Sequence, residues 1–338
     1  MLTLRDCTSL TDKSPHLPSE FTAAVFQGTG QPLELRSFRR PELVSGEALV
    51  KVECCTLCGS DLHTVSGKRI EPSPSILGHE ILGIVEQVSD DPPRDLQGVP
   101  LVTGDRITWS TCISCGSCDR CRVGLPQKCR KLSKYGHALA EGRCALSGGL
   151  SEAILLQANS AIARVPEELP AQVACPANCA TATVVAAFRA AGQVVGKRVL
   201  VMGAGLLGLT ATAFAKSRGA SRTTVCDPLT ERLDMARRFG ADDILVSRGS
   251  MSQVIDQFAV LADQPAFDIV LDFSGSTDAI EVAFQVADVG ARIVLVGSVM
   301  KSDDIRVNPE QMIRRCWQIH GIHNYTPADL LVAVEFLV

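Results

Sequence analysis

An apolar strand run, Arg198 to Met202, passes without a break into Gly203-Ala204-Gly205-Leu206-Leu207-Gly208 and then into the helical stretch LTATAFAKSRG. Glycines at this spacing between a strand and a helix have separate tasks. The first permits the turn, the second lets the backbone approach a pyrophosphate, and the third lets helix and strand pack closely. The free amides at the helix start then face the phosphates, so Leu206 and Leu207 are counted with Gly203, Gly205 and Gly208 as dinucleotide-binding positions. Asp227 follows nineteen residues after the last glycine, at the end of TTVC, where a carboxylate accepts hydrogen bonds from the adenosine ribose diol. A 2′-phosphate would be repelled there, so NAD is expected rather than NADP. Arg222 and Arg232 are the nearby cations that weigh against this, and Arg232 is instead read as bracing the ribose.

The same turn fixes the rhythm around it. From about Ala182 onward, the runs KRVLVMG, TTVCD, DDILV, FDIVLDF and ARIVLVG alternate with helical stretches, which predicts an α/β, doubly wound parallel sheet. Upstream, from Phe21 to about Ser160, short β-rich segments such as FTAAVF, EALVKVEC, HEILGIVEQV and DRITWS are broken by Gly and Pro, which predicts a distorted β-barrel. A length of 338 residues exceeds one ordinary core and favours two domains. With a formal charge of -4 and no long basic run, there is no field for nucleic acid. No stretch reaches the roughly eighteen apolar residues of a membrane span, and the start lacks a secretory pattern, so a cytoplasmic address is expected. The first twenty residues read as a loosely held extension. TPADLLVAVEFLV starts as a helix but ends on Phe336, Leu337 and Val338 with no cap, so a further C-terminal segment is expected.

Five of the fourteen cysteines crowd between Cys112 and Cys129, which in a large chain without a signal sequence favours metal over disulfide. Cys115, Cys118, Cys121 and Cys129 have the spacing C-x2-C-x2-C-x7-C, suited to a closed tetrahedral zinc site with a structural role. Cys112 stands one step earlier and competes for the ion; Cys129 is favoured because its longer reach lets the loop fold back. A second, dispersed set consists of Cys58, His79 in Gly78-His79-Glu80, and either Cys175 or Cys179, the open three-ligand arrangement of a catalytic zinc. Asp61 and Glu80 are read as carboxylates of this metal site that orient His79 or balance the ion's charge.

With the GHE triplet, the CGSDLH run, the four-cysteine lobe and the GAGLLG turn in one order, the chain resembles the zinc-containing medium-chain dehydrogenase/reductase superfamily from Phe21 onward. The resemblance implies a GroES-like zinc-binding catalytic domain over 1–180 and a Rossmann NAD-binding domain over 181–323. It makes 324–338 the start of a segment returning to the catalytic domain. It also implies that Cys58, His79 and Cys179 hold the catalytic zinc, Cys179 being preferred because Thr183 stands four residues after it. Ser60 would bond the substrate oxygen, His63 would be the outer member of a proton relay, and the lobe would hold the structural zinc without Cys112. Val296 and Gly297, at the end of a Rossmann strand, are read as holding the nicotinamide carboxamide through backbone groups.

The implied activity is hydride transfer between a zinc-bound alcohol or carbonyl and NAD(H), on a small alcohol or aldehyde, in a homodimer or tetramer. ANCATATVVAAF and CDPLTERLDMARRFGAD are similar to a subgroup of alcohol dehydrogenases associated with phosphonate catabolism. Lys134, His137 and Arg143 read first as solvated loop charges and second as charge offered to an anionic substrate such as a phosphonate. The rival readings are a zinc-free enoyl or quinone reductase of the same fold and a non-catalytic, zinc-stabilised remnant.

Overall fold

The structure, a computed structural model, describes residues 18–261 and 266–338. The extension expected over the first twenty residues falls, as far as residue 17, outside the described residues. The β-rich part holds a five-stranded antiparallel sheet in the order Ile162–Arg164, Arg106–Trp109, Glu80–Val88, Ala48–Thr56, Ala153–Leu156. A three-stranded sheet, Glu34–Arg39, Glu20–Phe26 and Ser75–Ile76, lies beside it. Ala48, Val50, Ile81, Val85, Ile107, Trp109, Ile154, Leu156 and Ile162 fill the interior. Two bulges, between Leu49 and Val50 and between Val52 and Cys54, reset the pairing with Glu80–Val88 so that Thr56 ends opposite Glu80. Cys58, just past one strand end, and His79, just before the next strand begins, are thereby brought side by side.

Beyond Ala191 the six strands Asp243–Val246, Arg222–Asp227, Arg198–Met202, Phe267–Asp272, Ala287–Leu295 and Gln318–Gly321 form one sheet in that spatial order, every pair parallel. Chain order reverses between Arg198–Met202 and Phe267–Asp272, and crevices for ligands open at the carboxyl ends of strands at such a point. The central strand is a continuous apolar run because both faces are covered. Val199 and Val201 enter one core cluster, while Leu200 and Met202 enter the other. The fold is thus α/β, a GroES-like β-rich unit joined to a Rossmann sheet.

Helix Ala180–Ala191 runs at the seam, buried at nearly every position from Ala180 to Ala191. The final helix, Pro327–Leu337, opens on a capping box of Thr326 and Asp329. Asp329 also takes Arg189 through Nε and Nη2 at 2.8 and 2.9 Å, and Phe336 meets Phe214 edge-on at 5.0 Å. Leu337 packs in addition against the cluster of Leu82, Val165 and Leu169, so this helix touches both units. Among the described residues no single helix is long and apolar enough to cross a membrane.

Candidate metal centres and cofactor crevice

Cys58 is the N-cap of the short helix Gly59–Val65, and its amide donates to Asp61 Oδ2 at 2.9 Å. Asp61, 1% exposed, uses Oδ1 to take the Gly78 amide and to meet His79 Nδ1, each at 3.3 Å. Burial works against this carboxylate, yet His79 and the two amides outweigh it and hold its pKa below the ordinary value. With Nδ1 engaged, the His79 Nε2 lone pair is left to point away from Asp61. It lies 3.4 Å from Cys179 Sγ and 3.5 Å from Ser60 Oγ, and Cys179 Sγ lies 3.9 Å from Cys58 Sγ. The ligand atoms of Cys58, His79 and Cys179 all fall within 4.8 Å of one another.

Three soft or borderline donors from separate elements with their lone pairs converging on one point suit a zinc ion. The proton inventory agrees. The Cys179 thiol, donating to Cys58, is the main cause that draws Cys58 down to about 3, with His79 adding to it, and the same contact pushes Cys179 well up. Burial opposes the charged form of His79, but Asp61 and Cys58 outweigh it and raise the imidazole to about 10. Charges accumulated this closely in a buried site ask for a cation in place of the protons. Glu80, 1% exposed, accepts from Thr56 Oγ1 at 2.6 Å, and its Oε1 is buried with no hydrogen-bond partner. Burial and then the Cys58 charge raise its pKa.

The thiols of Cys175 and Cys179 point in different directions, and only that of Cys179 joins the group of Cys58 and His79. Cys175 is fully buried and donates to the carbonyls of Cys54 at 3.2 Å and Glu80 at 3.0 Å. It takes no part in the cluster. Between the two lies Asn178, which sequence reasoning missed. Its side chain accepts from the Ile81 amide and donates to the carbonyls of His79 and Trp109, so it ties the loop carrying Cys179 to the strand after His79. Tyr325 donates to the Asn178 carbonyl and accepts from the Thr111 amide. Ser60 lies in the cluster, whereas His63 is half-buried three residues further along the helix with no hydrogen bond to Ser60. Thr183 donates its amide to the Cys179 carbonyl at 3.0 Å.

In the lobe, Cys115, Cys118, Cys121 and Cys129 also place their sulfurs within 4.8 Å of one another. Neighbouring separations are 3.4 Å for Cys115 and Cys129 and 3.5 Å for Cys118 and Cys121. Backbone hydrogen bonding at Ser117, and then the Cys129 thiol, bring Cys115 to about 6, while desolvation and the adjoining thiols push Cys121 to about 12. Four thiolates coexist there only around a cation, and four sulfurs complete its shell. Cys112 lies apart on the strand Cys112–Ile113, buried, with Thr111 Oγ1 at 3.8 Å from its sulfur.

The glycine turn borders a cavity of about 530 Å³ at the sheet's switch point. A Cβ on Gly203, whose φ is +95°, would come 2.9 Å from the Ser274 amide nitrogen, and one on Gly208 would strike the Gly203 carbonyl at 1.8 Å. At Gly205 nothing lies within 4 Å, which is the open space a pyrophosphate needs. Gly205 caps the helix Leu206–Ser217. Leu206 is 49% exposed, while Leu207 packs on the core. Asp227 and Arg232 both line the cavity. The Asp227 carboxylate accepts the amides of Ala204 and Leu229, each at 2.8 Å, and Arg232 Nη1 stands 3.7 Å away. Arg222 instead pairs with Asp243 at the opposite end of its strand.

The far wall, Phe273, Ser274 and Ser276, went unnoticed in the sequence, although the end of FDIVLDF beside the glycine turn was the available signal. Val296 and Gly297 both donate their amides to the Asp272 carbonyl, at 2.9 and 3.0 Å, and the Gly297 carbonyl accepts from Val299. The backbone group left over at this pair is the Val296 carbonyl, an acceptor. Arg143 points elsewhere, to Glu47 and the Glu42 carbonyl.

The family model for the alcohol dehydrogenase GroES-like domain matches residues 44–167, and that for zinc-binding dehydrogenases matches 207–338. L-threonine 3-dehydrogenase of Pyrococcus horikoshii is 31% identical over 276 residues, 79% of this chain and 73% of that protein. The enzyme of the same name from Anaeromyxobacter dehalogenans is 28% identical over 291 residues, 84% of this chain and 77% of that one. Among solved structures, an alcohol dehydrogenase of Thermotoga maritima superimposes with a TM-score of 0.87 at 28% identity, covering 94% of this chain and 88% of that one. With both family models matched in order and relatives above 30% identity over most of their length, the chain belongs to the zinc-binding dehydrogenases of the medium-chain dehydrogenase/reductase superfamily.

Proposed function

We propose that the protein is an NAD-dependent zinc alcohol dehydrogenase that interconverts a small alcohol and its carbonyl compound. The observation that carries this reading is the convergence of Cys58 Sγ, His79 Nε2 and Cys179 Sγ, with Ser60 Oγ beside them, in a chain that also holds the glycine cradle. When bound, the zinc supplies a Lewis acid for the substrate oxygen and the nicotinamide accepts the hydride. Asp61 fixes the orientation of His79. Ser60 Oγ, beside the donors, would receive the hydroxyl proton, and His63, half-buried on the same helix and without a direct hydrogen bond to Ser60, is the outer proton acceptor. The second sulfur cluster holds its lobe together and takes no part in the chemistry. The rival zinc-free reductase has no use for two sets of converging metal donors.

Asp227 supports NAD over NADP, because its buried carboxylate faces the crevice with Arg222 turned away. Asp227→Ala is expected to raise KM for NAD about tenfold or more while KM for NADP changes less. Since Asp227 also holds two backbone amides, a purely structural role would weaken both cofactors equally, and an unchanged NAD to NADP ratio would count against the ribose contact. The test of the whole reading is NADH formation across a panel of alcohols, with L-threonine and hydroxyalkyl phosphonates included, and zinc per chain measured on the same preparation. Absence of both zinc and cofactor-linked turnover would refute it.

A further inference from the structure

Beside the His79 ring lies a patch of charge that the reaction itself does not use. His137, 9% exposed, packs its ring on His79 with centroids 4.8 Å apart. Its Nδ1 lies 3.4 Å from Glu71 Oε1, and the same oxygen takes Arg69 Nη2 at 2.5 Å. A second side is formed by the segment His323-Asn324. Lys128 Nζ lies 2.6 Å from His323 Nδ1, and Lys134 Nζ donates to Asn324 Oδ1 at 3.3 Å. The next residue, Tyr325, is bonded to the carbonyl of Asn178, the neighbour of Cys179. The patch therefore borders the metal donors both through His137 and through Tyr325.

Its charges do not balance. Arg69, Lys128 and Lys134 bring three cationic side chains together, and Glu71 is the carboxylate bonded to Arg69. The two lysines are held by neutral groups, a ring nitrogen and an amide oxygen. Packing around its ring, and after that the charges of Lys128, Lys134 and Arg69, lower His323 to about 4, so at neutral pH it adds no charge and accepts from Lys128. With Arg69 alone bonded to a carboxylate and the two lysines held by neutral groups beside the metal donors, the excess positive charge raises the local concentration of anions and orients them.

We propose that this patch is a subsite for an anionic group of the substrate, which makes the substrate a hydroxy compound bearing a carboxylate or a tetrahedral phosphate-type group close to its carbinol. The inference rests on the dehydrogenase reading, because the patch gains its meaning from its place beside the His79 donors. Arg69 offers a planar fork to either oxyanion, and the lysines act as point charges.

The test uses protein loaded with zinc and NADH. Butyrate and ethylphosphonate, which have no carbinol, are titrated by calorimetry at low and at higher salt. In parallel, kcat/KM is compared for 3-hydroxybutyrate, 2-hydroxypropylphosphonate and neutral butan-2-ol. At least one anion is expected to bind, with affinity falling as salt rises and about tenfold lower in Arg69→Gln or Lys134→Gln. The matching hydroxy anion is expected to exceed butan-2-ol about tenfold or more in kcat/KM, a ratio that shrinks in the same variants. The arm that responds tells carboxylate from phosphonate. Anion binding unaffected by either substitution, or a preference for butan-2-ol over both anions, would overturn the subsite. Anion binding that is lost in the variants, with no turnover of any alcohol, would overturn the dehydrogenase reading and leave the subsite standing.

Discussion

Replacing His79 by Ala, or Cys58 by Ser, is expected to lower kcat by about a thousandfold or more, which corresponds to about 4 kcal/mol of transition-state stabilisation. The size follows from the geometry. His79 Nε2 is the donor that meets both Cys179 Sγ and Ser60 Oγ, so its loss opens the metal-donor set and removes the reference point of the proton acceptor together. The cofactor crevice is built from the Rossmann half and does not include either residue, so NADH titrated by fluorescence should bind within about twofold of the parent affinity. Asp61→Asn provides the graded comparison. An amide keeps the size of the side chain and weakens the Nδ1 contact, for which a loss of about 10- to 100-fold is expected. Because His79→Ala leaves the buried Asp61 carboxylate without its imidazole, the melting curve is recorded alongside. Near-normal turnover in a folded His79→Ala protein would remove the mechanism.

How much of this was legible beforehand depends on whether the signal was local. The glycine turn and the four-cysteine lobe are local: the Gly208 Cβ clash with the Gly203 carbonyl and the closeness of Cys115 to Cys129 both follow from spacing within one short stretch. The three-donor set is not local, since Cys179 stands about a hundred residues from His79, and its assignment over Cys175 leaned on a family likeness. Four residues apart, the two cysteines would share a face of a regular helix. Instead the segment Cys175–Asn178 is a 3₁₀ turn and Cys179 sits at φ -135°, ψ -79° before the next helix starts. The thiols diverge for that reason, and no periodicity in the sequence announces it.

Asn178 was invisible on the same account. An uncharged amide is unremarkable until Ile81, His79 and Trp109 close around it. At Val296 and Gly297 both amides continue the parallel pairing with Phe267–Asp272 by meeting the Asp272 carbonyl, so of the backbone groups the sequence pointed to, the Val296 carbonyl is the one left open. The groups of the charged patch near the metal donors are likewise spread over three stretches, Arg69 in one, Lys128 and Lys134 in the second, and the neutral His323 with Asn324 in the third. Of this patch the sequence drew attention to Lys134 and His137, together with Arg143; the fold sets His137 on His79 but turns Arg143 toward Glu47.

The second large effect concerns stability. Cys118→Ser is expected to lower zinc content from two ions per chain to one and to lower the melting temperature by many degrees, because the lobe has little else to hold it. Its helix Asp119–Arg122 has no buried residue, and Val123 and Leu125 are exposed. The contacts that cross the lobe are polar and lie at the surface, such as Arg130 with Asp119 and Arg120 with the Lys128 carbonyl, each worth about 1 kcal/mol or less. A structural zinc in comparable small folds contributes on the order of 10 kcal/mol to folding, so the ion outweighs everything else within the loop. Serine lacks the thiolate and cannot replace it. The strand pair Cys112–Ile113 and Ser133–Lys134 frames the lobe, and Lys134 reaches from it to Asn324. Loosening of the lobe should therefore also disturb the region beside His79 and reduce turnover without removing the other ion. Cys112→Ser, which alters a buried thiol outside the sulfur cluster, is expected to leave zinc content at two. An unaltered melting curve and two zinc ions in Cys118→Ser would contradict a metal-held lobe.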